Sequence, residues 1–344
     1  MAKRPIEKQL ADLVEEWSPQ LRAAFLAAVA DLTSNAAIGL IVERLERNDI
    51  GAALRAVNLD PAAFRVFENA VAQTYSAGGA ATTGAMPALR DPTGNRLVIR
   101  FDVRNPRAEA WLRPHSSGLV TRVVDDQRNA IRQAMEAGML RGDNPRTTAL
   151  DIVGRINRAT GRREGGIVGL TQQQASFVEN ARQELQEGTS EALERYLQRA
   201  RRDKRFDRSI MKAIREGKPV PADLQRKALA RYADSLLQLR GETIARTEAM
   251  ASLHAAQVEA FEQAIDTGSV ARQDVRKVWV ATSDGRTRDT HRALGGESVG
   301  FDDQFVSPSG ARLRFPGDPE APASEIVACR CTMRIRIDFL ANLR

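Results

Sequence analysis

The spacing of apolar residues changes once, late in this chain, and that change limits the folds open to it. Up to about Gly268 the apolar residues recur mostly three or four positions apart, as on one face of an α-helix. Beyond it they fall on alternate positions, as on a half-buried strand. The expected fold is mainly α with a C-terminal α+β module containing a small, largely antiparallel sheet. Punctuation suggests three domains: a mostly helical one with a short β element over 1–105, a helical one over 106–270, and the α+β module over 271–344.

Local signals fill in this frame. Leu10, Leu13, Val14, Trp17, Leu21, Phe25 and Val29 open two or three amphipathic helices that run to about Ala56. The stretch Ser76–Gly84 reads as a polar, Gly-rich break. Leu97–Val103 then reads as a short strand introduced by the turn Asp91-Pro92-Thr93-Gly94. From Pro106 helices follow one another. A stripe of Ile131, Met135 and Met139 ends at Gly142, Asn144-Pro145 opens the next helix, and Thr171 caps another that closes near Gly188. The last long helix is expected from about Glu242 to Ile265. Thr160–Gly166 lacks the Gly-Lys-Ser/Thr ending of a phosphate loop and reads as a connector.

Past Gly268, Val275–Thr282 is strand-like, a short helix ends at Gly295-Gly296, and Ser307-Pro308-Ser309-Gly310 is a hairpin turn. The last strand is the clearest: Cys329, Cys331, Met333, Ile335 and Ile337 alternate with Arg330, Thr332, Arg334 and Arg336, giving one buried face and one basic face.

The 344 residues carry 51 Lys and Arg against 44 Asp and Glu, a formal charge of +7. The excess is local. Between Arg195 and Arg231 thirteen basic residues meet four acidic ones, so the remainder is close to neutral. Arg199, Arg201, Arg202, Lys204, Arg205, Arg208 and Lys212 are the nucleic-acid contact candidates. Few aromatics accompany them, which suits a phosphate backbone better than stacked bases. A solvated helix face, or docking on an acidic protein, is the alternative. Two Cys exclude a disulfide scaffold, and no export signal or apolar run of membrane-spanning length is evident. Folding in a reducing cytosol without membrane contact is expected.

One constellation can carry chemistry: His291 with Cys329 and Cys331. Two thiolates two residues apart on a strand can converge on one zinc ion with the imidazole, and Asp284, Asp289 or water would complete the set. The alternative is that both Cys are small core residues and His291 pins the helix to the sheet. No catalytic triad, dinucleotide fingerprint or paired-carboxylate motif is present, so an enzyme is not expected.

Read in order, Arg246-Thr247-Glu248, Trp279, the run Asp284 to His291, Gly295-Gly296, Phe305, Pro316-Gly317-Asp318-Pro319 and Cys329-Arg330-Cys331 resemble the Mu F-like minor head protein family of tailed phages, also called phage head morphogenesis proteins. The resemblance is strong over about 240–337, is only general over the helices before it, and does not cover the first hundred residues. The chain departs from the family at Ala328, where Asn often precedes Cys-x-Cys. The resemblance implies a non-enzymatic virion component inside the head at the portal vertex, made in the host cytoplasm and acting in head assembly, genome packaging and ejection. Its implied partners are the phage portal protein, around which several copies would sit, other head proteins and packaged double-stranded DNA. Two other readings remain at this point: a virion-delivered effector enzyme using His291, and a DNA-binding accessory protein.

Overall fold

A computed structural model describes residues 4–88, 93 and 97–338. Its elements run in the order α1 (Ile6–Asn35), α2 (Ile38–Glu46), α3 (Ile50–Ala56), α4 (Arg65–Ala85), α5 (Pro106–Leu140), α6 (Pro145–Val153), β1 (Arg155–Ile156), β2 (Arg163–Glu164), α7 (Gln172–Glu187), α8 (Ser190–Leu197) and α9 (Asp207–Glu216). The 45-residue α10 (Ala222–Asp266) follows, then β3 (Val275–Val280), α11 (Asp289–Ala293), β4 (Ser298–Gly300), β5 (Phe305–Val306), β6 (Arg312–Leu313), α12 (Ala323–Ile326) and β7 (Thr332–Ile337). The fold is mainly α with a small antiparallel sheet near the C-terminus, as the change of period predicts.

Two compact units emerge, each assembled from separated stretches of chain. One is the described part of Met1–Ala24, Phe67–Ser117 and Glu242–Arg344, and the other is Phe25–Val66 with Gly118–Gly241. The boundaries expected near 105 and 270 coincide with neither. In the second unit the helix punctuation follows the sequence closely. Asn144 caps α6, Thr171 and Gln174 form a capping box on α7, and Gly188 ends α7 in the left-handed conformation. Thr160–Gly166 begins in the loop between the paired strands β1 and β2 and runs through β2.

The first unit holds the C-terminal sheet, in the order β4-β3-β7. Strand β3 pairs antiparallel with β7 along its whole length, from Val275 opposite Ile337 to Val280 opposite Thr332. Trp279, Met333, Ile335, Phe305 and Leu313 turn inward onto Ala255, Ala256, Ala260, Phe261 and Ala264 of α10, so sheet and helix share one core.

Three expectations are corrected here. Ser76–Gly84 is not a break but lies inside α4. Thr74, Thr82 and Thr83 turn their hydroxyls back onto the carbonyls of Ala70, Gly78 and Gly79, which keeps polar residues compatible with a helix. Gly78 and Gly79 are needed for close approach: a Cβ on Gly78 would lie 3.0 Å from the backbone of Leu253, and one on Gly79 would overlap the Phe101 ring. Leu97–Val103 forms no strand. Its alternation is real, since Leu97, Ile99, Phe101 and Val103 pack on the core, but Gln263 of α10 takes the place of a neighbouring strand by bonding both N–H and C=O of Asp102 at 2.8 Å. Of the turn assigned to 91–94, only Thr93 is among the described residues. Finally, α10 begins twenty residues before Glu242, because nothing between Pro221 and Gly241 breaks it.

No single helix is long and apolar enough to cross a membrane; the bent pair α1–α2 reaches that composition only jointly.

His254 of α10 sits wholly inside the first unit, with Nδ1 3.0 Å from the Met250 carbonyl. Burial pushes its pKa down to about 4, outweighing the carbonyls of Met250 and Pro316 that face the ring. Below pH 6.5 the unfolded chain therefore takes a proton here that the folded chain refuses. The stability held at neutral pH is lost as pH falls from 6.5 through 4, by up to about 3 kcal/mol from this residue. Urea unfolding followed across this range is expected to show a steeper loss in the native chain than in His254→Asn.

Candidate functional site

Between α12 and β7 the chain makes a turn that depends on a left-handed residue, Ala328, at φ 53°. Its N–H donates to Thr247 Oγ1 on α10 at 3.1 Å, while that hydroxyl donates to the Thr243 carbonyl at 2.8 Å. Arg288 reaches the same turn through the Val327 carbonyl. Past the turn, Cys329 and Cys331 point inward and Arg330 outward. The two Cys precede the strand rather than lying in it, because ladder pairing starts at Thr332. Thr282 donates to the Arg330 carbonyl at 2.6 Å, and the Arg330 guanidinium makes a two-point pair with Asp284. That pair, with an N–H from Arg286, holds the Asp284 carboxyl at about 2, well under the usual range.

Inside the turn, His291 of α11 places Nδ1 3.5 Å from the sulfur of Cys329 and 3.5 Å from that of Cys331. Its other nitrogen, Nε2, lies 2.9 Å from Glu325 Oε2. Glu325 also accepts from Thr290 at 2.9 Å and from Ser309 and Ser307 at 2.6 and 3.3 Å. Trp279 packs edge-on against the imidazole, 5.1 Å between centroids. All four polar side chains are buried, none more than 4% exposed. Burial alone would push the Glu325 carboxyl up, but the hydroxyls of Ser309 and Thr290, with His291 beside it, bring it below the ordinary value. Between the thiols, hydrogen bonding from Cys329 draws the Cys331 pKa down against the effect of burial. The same coupling drives Cys329 up.

His291, Cys329 and Cys331 are thus brought together, with all three ligating atoms within 4.8 Å of one another. Neither expected acidic partner joins them. Asp284 is taken by Arg330, and Asp289 points into solvent beside Arg292. The residue that sequence reasoning missed is Glu325. It is the one acid in Ala323–Cys329, four positions ahead of the first thiol, but position alone does not mark it as facing His291.

The basic stretch divides sharply. Arg199 and Arg202 are half-buried and committed to Glu184 and Asp207 through paired contacts of 2.7–2.9 Å. Arg205 folds back on Asp203. Arg201, Lys204, Arg208 and Arg215 are exposed and have no ion-pair partner among the described residues, and Lys212 has only an exposed one, Glu216, at 3.7 Å. Arg208, Lys212 and Arg215 stand on one face of α9, opposite the buried Ile210 and Ala213.

A buried Cys-x-Cys and histidine knot, closing a small antiparallel sheet onto a long helix, is what the ordered C-terminal motifs build. The family model described as Phage Mu protein F like protein matches residues 129–334, from within α5 into β7. The protein belongs to this family, and with it to the phage head morphogenesis proteins associated with the virion head. The match reaches well upstream of residue 240, where the recognisable motifs begin. A stretch of 93 residues, 26% of this chain, is 37% identical to the NAD(+)--arginine ADP-ribosyltransferase EFV of Enterococcus faecalis. The chain spans 17% of that relative's length. No solved structure matches.

The left-handed turn carries a direct test. Ala328 is exposed at a φ that costs a β-carbon roughly 1–2 kcal/mol and that Asn tolerates better. Ala328→Asn is expected to raise stability by about 1 kcal/mol, read as a higher urea midpoint at unchanged slope.

Proposed function

We propose that this protein is a minor head component bound at the portal vertex, present in several copies around the portal protein and acting in genome packaging and ejection. The observation that carries the reading is the family match over 129–334, which includes every motif of the C-terminal knot. Portal and other head proteins would be its protein partners, with assembly in the host cytoplasm and retention in the virion. The exposed cations of α9 and of the segment just before it supply a contact for packaged double-stranded DNA. That role falls to Arg201, Lys204, Arg208, Lys212 and Arg215 rather than to Arg199 and Arg202, whose guanidinium groups are already paired.

A structural rather than catalytic role agrees with the burial of His291 and both thiols, since a reacting group must meet substrate and His291 is 1% exposed. The similarity to an ADP-ribosyltransferase favours a second reading, in which a module of this kind accompanies an effector activity. Host growth distinguishes the two. Arrest on expression of the native chain, relieved by His291→Ala in a variant that still folds, would support the effector. Unaffected growth is the expected result.

Location is the direct test of the first reading. Labelled protein in intact virions is expected at one vertex, that of the portal; label spread over the shell, or absent from virions, would overturn it. For the DNA contact, binding to duplex DNA is expected to weaken steeply with salt. Replacing Arg208, Lys212 and Arg215 by Ala should flatten the slope of log affinity against log salt by about 2–3. An unchanged slope would remove α9 from the interface.

A further inference from the structure

We propose that Cys329, Cys331 and His291 bind a zinc ion that fastens the end of the chain to α11. Hydrogen bonds alone leave these three side chains in conflict. Nε2 lies 2.9 Å from the Glu325 carboxylate, a charge contact that is not aligned as a hydrogen bond; the negative charge there favours the tautomer with its proton on Nε2 and a lone pair on Nδ1. One lone pair accepts one good hydrogen bond, yet two sulfurs lie at the same 3.5 Å from it. A cation among the three atoms satisfies all of them at once, because each offers it a lone pair.

The distances suit that ion. Tetrahedral zinc, with Zn–S of about 2.3 Å and Zn–N of about 2.0–2.1 Å, sets sulfur and nitrogen roughly 3.6 Å apart. Two thiolates and an imidazole form a soft donor set that favours zinc over the oxygen-seeking magnesium and calcium. Behind the ring, Glu325 takes the part that a carboxylate commonly plays for a zinc-bound histidine: it fixes the tautomer and the ring plane. Thr290, Ser307 and Ser309 hold the carboxylate in place. Asp284 and Asp289 are engaged elsewhere, so the fourth position falls to a water molecule.

Binding converts both thiols to thiolates and releases their protons to solvent, leaving a neutral centre of one divalent cation and two anions. Such a centre suits a buried place among Trp279, Phe305 and Met333 far better than a lone thiolate would. Its position makes it structural. The ligands come from α11 and from the segment before β7, so the ion would join the helix to the sheet's last strand and close the turn at Ala328. The inference is independent of any role at the portal.

The test uses the full chain, purified without chelator and analysed for metal by mass spectrometry, then stripped and titrated with cobalt and zinc. About one zinc per chain is expected, together with the charge-transfer absorption of thiolate-bound cobalt, displaced on adding zinc. Stripping should lower the melting temperature and zinc should restore it. Cys331→Ser and His291→Ala should lose the metal. Glu325→Gln, which keeps all three ligands, should bind zinc roughly 10-fold or more weakly while retaining the cobalt absorption. A native chain that takes up no stoichiometric zinc and gives no thiolate–cobalt absorption would overturn the proposal, whether or not the ligand variants fold.

Discussion

The C-terminal unit depends on one buried carboxylate. Glu325 faces the imidazole of His291, receives three hydroxyl donors, and sits where solvent does not reach. Removing a buried carboxylate leaves the donors that face it unsatisfied, at about 1–3 kcal/mol for each, a large share of the roughly 5–15 kcal/mol that keeps a domain folded. What Glu325 orients is the ring to which both thiols turn. What the thiols fix is the short segment between α12 and β7, and that segment sets the register of the strand paired with β3.

Around this centre the recognisable motifs have distinct mechanical tasks. Thr247, on α10, accepts the N–H of the left-handed Ala328 and so ties the turn to the helix 81 positions earlier. Arg330 and Asp284 tie the outer side of the same turn to the loop before α11. Asp318 accepts three hydrogen bonds from Arg314, from its backbone N–H and from two of its guanidinium nitrogens, which holds the Pro316–Pro319 bend closed after β6. Trp279 lies edge-on to both His291 and Phe305. The Ala-rich inner face of α10 gives the sheet a flat surface on which to seat. Short motifs scattered over ninety residues therefore act on one another, which explains why their order is so much more informative than any of them alone.

Where the chain's own spacing decides the outcome, the sequence was legible: the capped helices α6 and α7, the strand β3 and the alternation of β7. It was misleading where a distant partner decides. Ser76–Gly84 looks like a break until Leu253 and Phe101 explain why two adjacent glycines belong in a helix. Leu97–Val103 alternates like a strand but meets a glutamine side chain instead of a ladder. Within the site, the Cys-x-Cys pair and His291 could be grouped from residue type alone. Glu325 could not, because an acid becomes a partner of histidine only through a fold that buries both. In the basic stretch, spacing marked thirteen cations, but only their acidic neighbours in space, such as Glu184 beside Arg199, separate those that hold the fold from those that face outward.

The C-terminal motifs form one mechanical unit organised by Glu325. Amide hydrogen exchange on Glu325→Ala in the full chain measures this most directly. Protection is expected to fall together in α11, β3 and β7, while α6 and α7 keep theirs. Loss confined to 323–327, with the sheet still protected, would contradict it.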